Sequence, residues 1–315
     1  MISAKVFGKR GSRNFADAAF KLLTMLGAAL LLVIMAALFA ELIRNSLLSI
    51  DKFGWSFIFS NVWDPVKEQF GAAATIWGTV ISTLIAMALA VPLSILIALF
   101  LVELLPESIS KWVRAGIELL AAVPSIIFGM WGLFVFAPFM AETVQPFLRN
   151  VFGDSHLFSG PPIGIGMLTA GIILAFMILP FITAIVRDVF QMVPAVVKES
   201  AHGMGSTLWE VTRKVTIKYG FQGIVGAALL GLGRAIGETM AVTFVIGNSH
   251  KISTSLFAPA NSITAALANE FAEASESLYL SSLIELGLVL FVLTFIIQAI
   301  SQIWLKRVKK RMGVQ

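Results

Sequence analysis

Six uninterrupted apolar stretches dominate this chain, each long enough to cross a ~30 Å bilayer core when wound as a helix. They run approximately 22–42, 75–102, 115–140, 163–186, 221–247 and 280–304. The stretches are continuous and do not alternate at every second residue, which argues against a barrel and for membrane-spanning helices. With 58% hydrophobic and 13% charged residues, a water-soluble monomer could not bury so much apolar surface, because burial rises only slowly with size. The expected fold class is an all-α membrane protein with six transmembrane helices. A soluble enzyme, a disordered scaffold and a nucleic-acid binder are excluded, despite the net charge of +5. The chain has no cysteine, which removes disulfides and thiolate metal sites. His156, His202 and His250 lie far apart and show no metal-ligand spacing, so no metal site is expected.

Orientation follows from the basic residues between spans. Placing both termini in the cytoplasm puts 17 of the 23 Lys and Arg residues inside. These include Lys5, Lys9, Arg10, Arg13 and Lys21 in a basic segment over 1–21, and Lys306, Arg307, Lys309, Lys310 and Arg311 in a tail over 306–315. The membrane domain between them covers 22–305. The first apolar run is too long for a signal peptide and lacks a good cleavage site, so it reads as an uncleaved helix.

Three loops carry content. The first outer loop holds Phe53, Trp55, Phe57, Phe59 and Trp63, which reads as an interfacial aromatic belt. The last outer loop holds Asn261-Ser262-Ile263-Thr264 and the acidic Glu270, Glu273 and Glu276, which suggest a short surface helix with a solvated face. The inner loop, about 187–220, is too long for a hairpin. It reads as two short amphipathic helices broken at Gly203-Met204-Gly205, suited either to a cytoplasmic partner's groove or to packing under the membrane helices.

Ionisable groups inside spans usually mark a pathway, a pair or both. Glu118 and Glu285 lie near span ends, where snorkelling can reach the interface. Arg234 and Glu238 lie deep in the fifth span at a spacing of four, so on one continuous helix their heads can meet. Gly223, Gly226, Ala227, Gly231, Gly233, Gly237 and Ala241 share their arc, which turns the pair toward the bundle interior. A buried structural ion pair and an anion pathway both fit. Pro92, Pro124 and Pro180, inside spans two, three and four, are candidate hinges. No G-x-x-x-x-G-K-[ST] is present, so the chain cannot cradle ATP by a P-loop.

Glu199-Ser200-Ala201, with Gly205 four residues on, resembles the EAA loop of ABC-importer permeases, the segment that docks on the ATPase subunit. Val215, Ile217 and Lys218 stand where that pattern closes on Ile-x-Leu-Pro. The stretches 118–132, 231–240 (Gly-Leu-Gly-Arg-Ala-Ile-Gly-Glu-Thr-Met) and 261–264, with Ile76-Trp-Gly-Thr79 and Gly160-Pro161, resemble the phosphate-specific permeases of that family. The resemblance runs from about residue 20 to residue 305. It implies a type I ABC-importer permease fold in a bacterial inner membrane, importing inorganic phosphate without an ATPase site or cofactor of its own. The implied partners are a second, PstA-like permease, a PstB-like ATPase dimer that binds ATP, and a periplasmic PstS-like phosphate-binding protein. It further implies that Glu199, Ser200, Ala201 and Gly205 couple to the ATPase and that Arg234 and Glu238 line the phosphate path. Residue physics alone leaves open another oxyanion, such as sulfate or phosphonate, and a proton-coupled secondary transporter using Glu238.

Overall fold

A computed structural model describes residues 10–153 and 155–311. Lys5 and Lys9 of the basic leader therefore lie outside the described residues. Among these residues the chain is helical and contains six helices long and apolar enough to cross a membrane. Helices dominate because a bilayer core offers no partner for backbone N–H and C=O groups, so each span must satisfy its own. In chain order the elements are α1 (Arg10–Phe53), α2 (Ala73–Leu99, prolonged by a π turn Phe100–Leu104) and α3 (Glu107–Ala121). Next come α4 (Ser125–Phe152), α5 (Met167–Gln191), α6 (Ala195–Gly203) and α7 (Leu208–Ile236). The chain continues with α8 (Met240–Val245), α9 (Ile263–Glu270) and α10 (Ser277–Arg311).

α5 is the central post. Ile173, Leu174, Ile178, Ile182, Val186 and Phe190 are fully or almost fully buried in the main core, against α2 and α7. Small residues permit the approach: a Cβ on Gly231 of α7 would stand 2.5 Å from Ile182 Cδ1. Pro92 and Pro180 sit inside α2 and α5 without ending them. Beside Pro180, the hydroxyls of Ser94 (3.0 Å) and Thr183 (2.7 Å) both donate to the Leu179 carbonyl. α1 lies at the periphery and meets α10 through a serine seam in which Ser49 Oγ and Ser282 Oγ are 3.0 Å apart. Much of its remaining length exposes leucine, isoleucine and valine.

Several sequence expectations are corrected. The third apolar run is two helices: Ala122-Val123-Pro124 is a non-helical joint, so Pro124 separates α3 from α4 and does not kink a span. The fifth run also breaks, at Gly237-Glu238-Thr239. The second amphipathic helix expected in the inner loop is the first part of α7, joined to the span through a π turn at Thr212–Thr216. Arg213, Lys214 and Lys218 interrupt the hydropathy there without interrupting the helix. The aromatic belt is divided: Trp55 and Phe59 are exposed, but Phe57 is fully buried on a single turn, Ser56–Phe59. Trp63 stacks on His250 with ring centroids 5.2 Å apart. Glu285 does not snorkel; it is buried.

Candidate functional site

Two regions carry chemistry. The first is the break between α7 and α8. Arg234 occupies the last turn of α7, where a cation complements the negative end of the helix dipole. Glu238 occupies the joint and turns its carboxylate onto the start of α8, where Oε1 accepts from the Ala241 N–H at 3.2 Å. An acidic group there complements the positive end of the next helix. Each charge therefore answers its own helix end, and the Arg234–Glu238 ion pair expected from an unbroken helix is absent. The Arg234 guanidinium is exposed and lies over the Phe181 ring, 5.6 Å from its centroid. Phe181 follows Pro180 in α5, which places that proline next to the arginine's support.

The glycine arc divides in the same way. Gly220, Gly223 and Gly231 face α5, and Gly233 faces Gln298 of α10. Gly226 and Gly237 have no packing partner from another element, and Gly237 lies exposed near Arg234. The joint is held from outside the helix by Thr264, whose hydroxyl donates to the Glu238 carbonyl at 2.7 Å. Ser262 caps α9 by accepting from the Ala265 N–H at 3.1 Å, and the Ile263 N–H donates to Thr79 Oγ1 at 3.0 Å. The Asn261–Thr264 motif thus ties the break to α2. A second interruption lies close by: Gly129, in the first turns of α4, packs on Met240 and Phe244, and its Cβ would stand 3.0 Å from the Met240 carbonyl oxygen. Two interrupted helices pack on each other here. Irregular backbone at membrane depth persists only where protein buries it or where it lines a cavity.

The second region is the coupling segment. α6 starts after Pro194 and stops where Gly205 takes φ +85°, a left-handed value suited to glycine at a helix C-terminus. Thr207 and Glu210 then form a capping box that opens α7. Glu199 and Ser200 are exposed, as are Val196 (71%), Met204 (81%) and Trp209 (65%). Ala201 is buried against the bundle, on the inner side of α6. Sequence reasoning missed the partners beneath: Lys198 with Glu103, and Arg187 with Glu118 at 3.0 Å and Asp188 at 2.6 Å. Glu118 is therefore paired, on a helix that the hydropathy pattern merged with a span.

A third polar cluster lies in the last outer loop. Glu270 accepts from Trp63 Nε1 (2.6 Å) and the Tyr279 hydroxyl (2.7 Å), and its Oε1 lies 2.9 Å from His250 Nε2. Burial pushes this carboxyl up, but the His250, Tyr279 and Trp63 contacts outweigh it and hold Glu270 below the ordinary carboxylate value. The solvated acidic face expected here is confined to Glu273 and Glu276. Among the described residues, no group of three or more His, Asp or Glu side chains could hold a metal ion.

Residues 90–312, which contain both regions, match the model of the binding-protein-dependent transport system inner membrane component family. The chain belongs to this family. A phosphate transport system permease protein PstC from Mesorhizobium japonicum is 55% identical, with 96% of this chain and 94% of the relative covered. One of the same name from Pasteurella multocida is 50% identical, with 96% of each covered. A probable PstC from Methanocaldococcus jannaschii is 36% identical over 91% of this chain and 93% of the relative. Among solved structures, a bacterial ABC transporter for alginate import superposes with a TM-score of 0.61, covering 94% of this chain and 99% of that one at 15% identity. At that identity the likeness speaks for fold alone, and the fold is that of ABC-importer permeases. Family membership and six apolar helices make this a multi-pass inner-membrane permease subunit.

Proposed function

We propose that this chain is a permease subunit of a binding-protein-dependent ABC importer that moves inorganic phosphate inward, and that Arg234 is its anion contact. The observation that carries the reading is the exposed Arg234 guanidinium beside a helix break, with no carboxylate within ion-pairing distance among the described residues. A cation that faces out of its own chain at membrane depth calls for a partner surface that completes the pathway. A second, PstA-like permease is that partner in this reading. The names of the relatives supply phosphate as the cargo.

Energy comes from an ATPase dimer that seats against the exposed face of α6, and a periplasmic binding protein delivers phosphate at the opposite end. The basic residues at the α6 end, Lys111, Arg114, Arg213, Lys214 and Lys218, support placing that end and both termini in the cytoplasm. Arg234 offsets the anion's charge as it passes. Glu238 anchors α8, so the arginine stays free of a competing carboxylate and the anion meets one cation, enough for passage and too little for a trap. Pro180 supports the Phe181 shelf, while the joints at Pro124 and Gly237 give the two interrupted helices room to reorient.

The test is labelled phosphate uptake into proteoliposomes holding both permeases and the ATPase. Uptake should need ATP and the binding protein, and excess sulfate should not compete. Arg234→Gln should leave assembly intact and abolish uptake; normal uptake in that variant refutes the assignment.

A further inference from the structure

α6 touches the rest of the chain through a narrow inner face. Val196, Val197, Glu199 and Ser200 point outward, while Ala201 and Lys198 point in. Lys198 Nζ lies 2.7 Å from Glu103 Oε1, and the same oxygen accepts from Thr216 Oγ1 at 2.9 Å. Only 9% of the Glu103 side chain and 19% of the Lys198 side chain are exposed, and Thr216 is fully buried. One carboxylate therefore collects α6, the end of α2 and the base of α7. Both membrane helices meet it at a π turn, Phe100–Leu104 for Glu103 and Thr212–Thr216 for Thr216. Such turns recur at functional sites, where a helix departs from its regular winding.

A buried ion pair contributes little net stability, because desolvation offsets its attraction, yet separating its partners leaves an uncompensated buried charge. Here it joins α6 to two spans. Arg234 lies on the same helix as Thr216, about 27 Å further along at 1.5 Å per residue. We infer that Lys198, Glu103 and Thr216 form the joint that passes displacement of α6 to α2 and α7, and so to Arg234. The three are positioning residues, and the inference rests on α6 being the surface the ATPase seats on.

The experiment uses the complete complex in proteoliposomes and reads phosphate transported per ATP hydrolysed, alongside co-purification of the ATPase. Lys198→Met and Glu103→Gln should keep the ATPase attached and lower the ratio about ten-fold, as expected when a charge-assisted hydrogen bond is lost. Lys198→Arg should keep the ratio near normal. The double variant should be no worse than the worse single, because one linkage is removed once. Should a single variant fail to assemble, Thr216→Val removes only a hydroxyl; it should lower the ratio about three-fold while Thr216→Ser does not. A purely architectural role predicts less complex with an unchanged ratio. An unchanged ratio in assembled Lys198→Met, Glu103→Gln or Thr216→Val overturns the inference. The docking reading is tested separately by Val196→Asp: retained ATPase binding there counts against docking itself, whereas lost binding with unchanged ratios in the joint variants removes the joint alone.

Discussion

Replacing Glu238 separates two accounts of the mid-membrane charges. If Glu238 neutralised Arg234 in a desolvated pathway completed by a partner, Glu238→Gln would leave that cation uncompensated, at a cost of up to about 3–5 kcal/mol, more than about a hundred-fold in the population of the working state. The structure assigns the carboxylate a different task, accepting one hydrogen bond from the Ala241 N–H at the start of α8. The glutamine amide oxygen can accept the same bond, so Glu238→Gln should lose only the charge–dipole part, about 0.3–1 kcal/mol. Glu238→Ala removes the cap altogether, at about 1 kcal/mol or somewhat more, which is about five-fold in population. The measurement is the initial rate of phosphate uptake per assembled complex, with each variant's thermal midpoint recorded in parallel. Glu238→Gln should stay within about a few-fold of the parent and above Glu238→Ala. A fall of Glu238→Gln to or below the level of Glu238→Ala would refute the capping argument and restore the ion pair.

Two further outcomes follow from packing and charge. Gly78 faces the Asn261 carbonyl so closely that an added Cβ would lie far inside contact distance; Gly78→Ala should cost about 1–3 kcal/mol and lower the thermal midpoint of the purified complex, while Gly226→Ala, in open space, should not. Glu270 is held below its ordinary value, so its contribution is complete above the unfolded carboxylate value of about 4.3 and is lost as pH falls through the folded value. Thermal midpoints recorded on lowering pH through the carboxylate range should show this acid loss in the parent and a shallower one in Glu270→Gln.

The six-helix architecture was legible because lipid imposes a one-dimensional signal: a span must be apolar along its whole length. What that signal omits is any structure that keeps the apolarity and alters the backbone. Val123-Pro124 and Gly237-Thr239 sit inside hydrophobic runs, so hydropathy reads through both joints. Conversely, α7 begins at Leu208 although Arg213, Lys214 and Lys218 lower its hydropathy, since charge disfavours lipid without disfavouring a helix. Lys198 and Glu103 stand 95 residues apart, and nothing local announces that they meet.

The break at Gly237 did leave a local trace, and periodicity hid it. A spacing of four between Arg234 and Glu238 predicts an ion pair only while the helix is unbroken between them. The intervening glycine offers a second reading, with a basic residue in a last turn, then Gly, then an acidic residue and Thr before a new apolar run. That order is a helix stop followed by a helix start. In it the two charges answer opposite helix ends, and that separation is why Glu238 caps α8 and does not pair with Arg234.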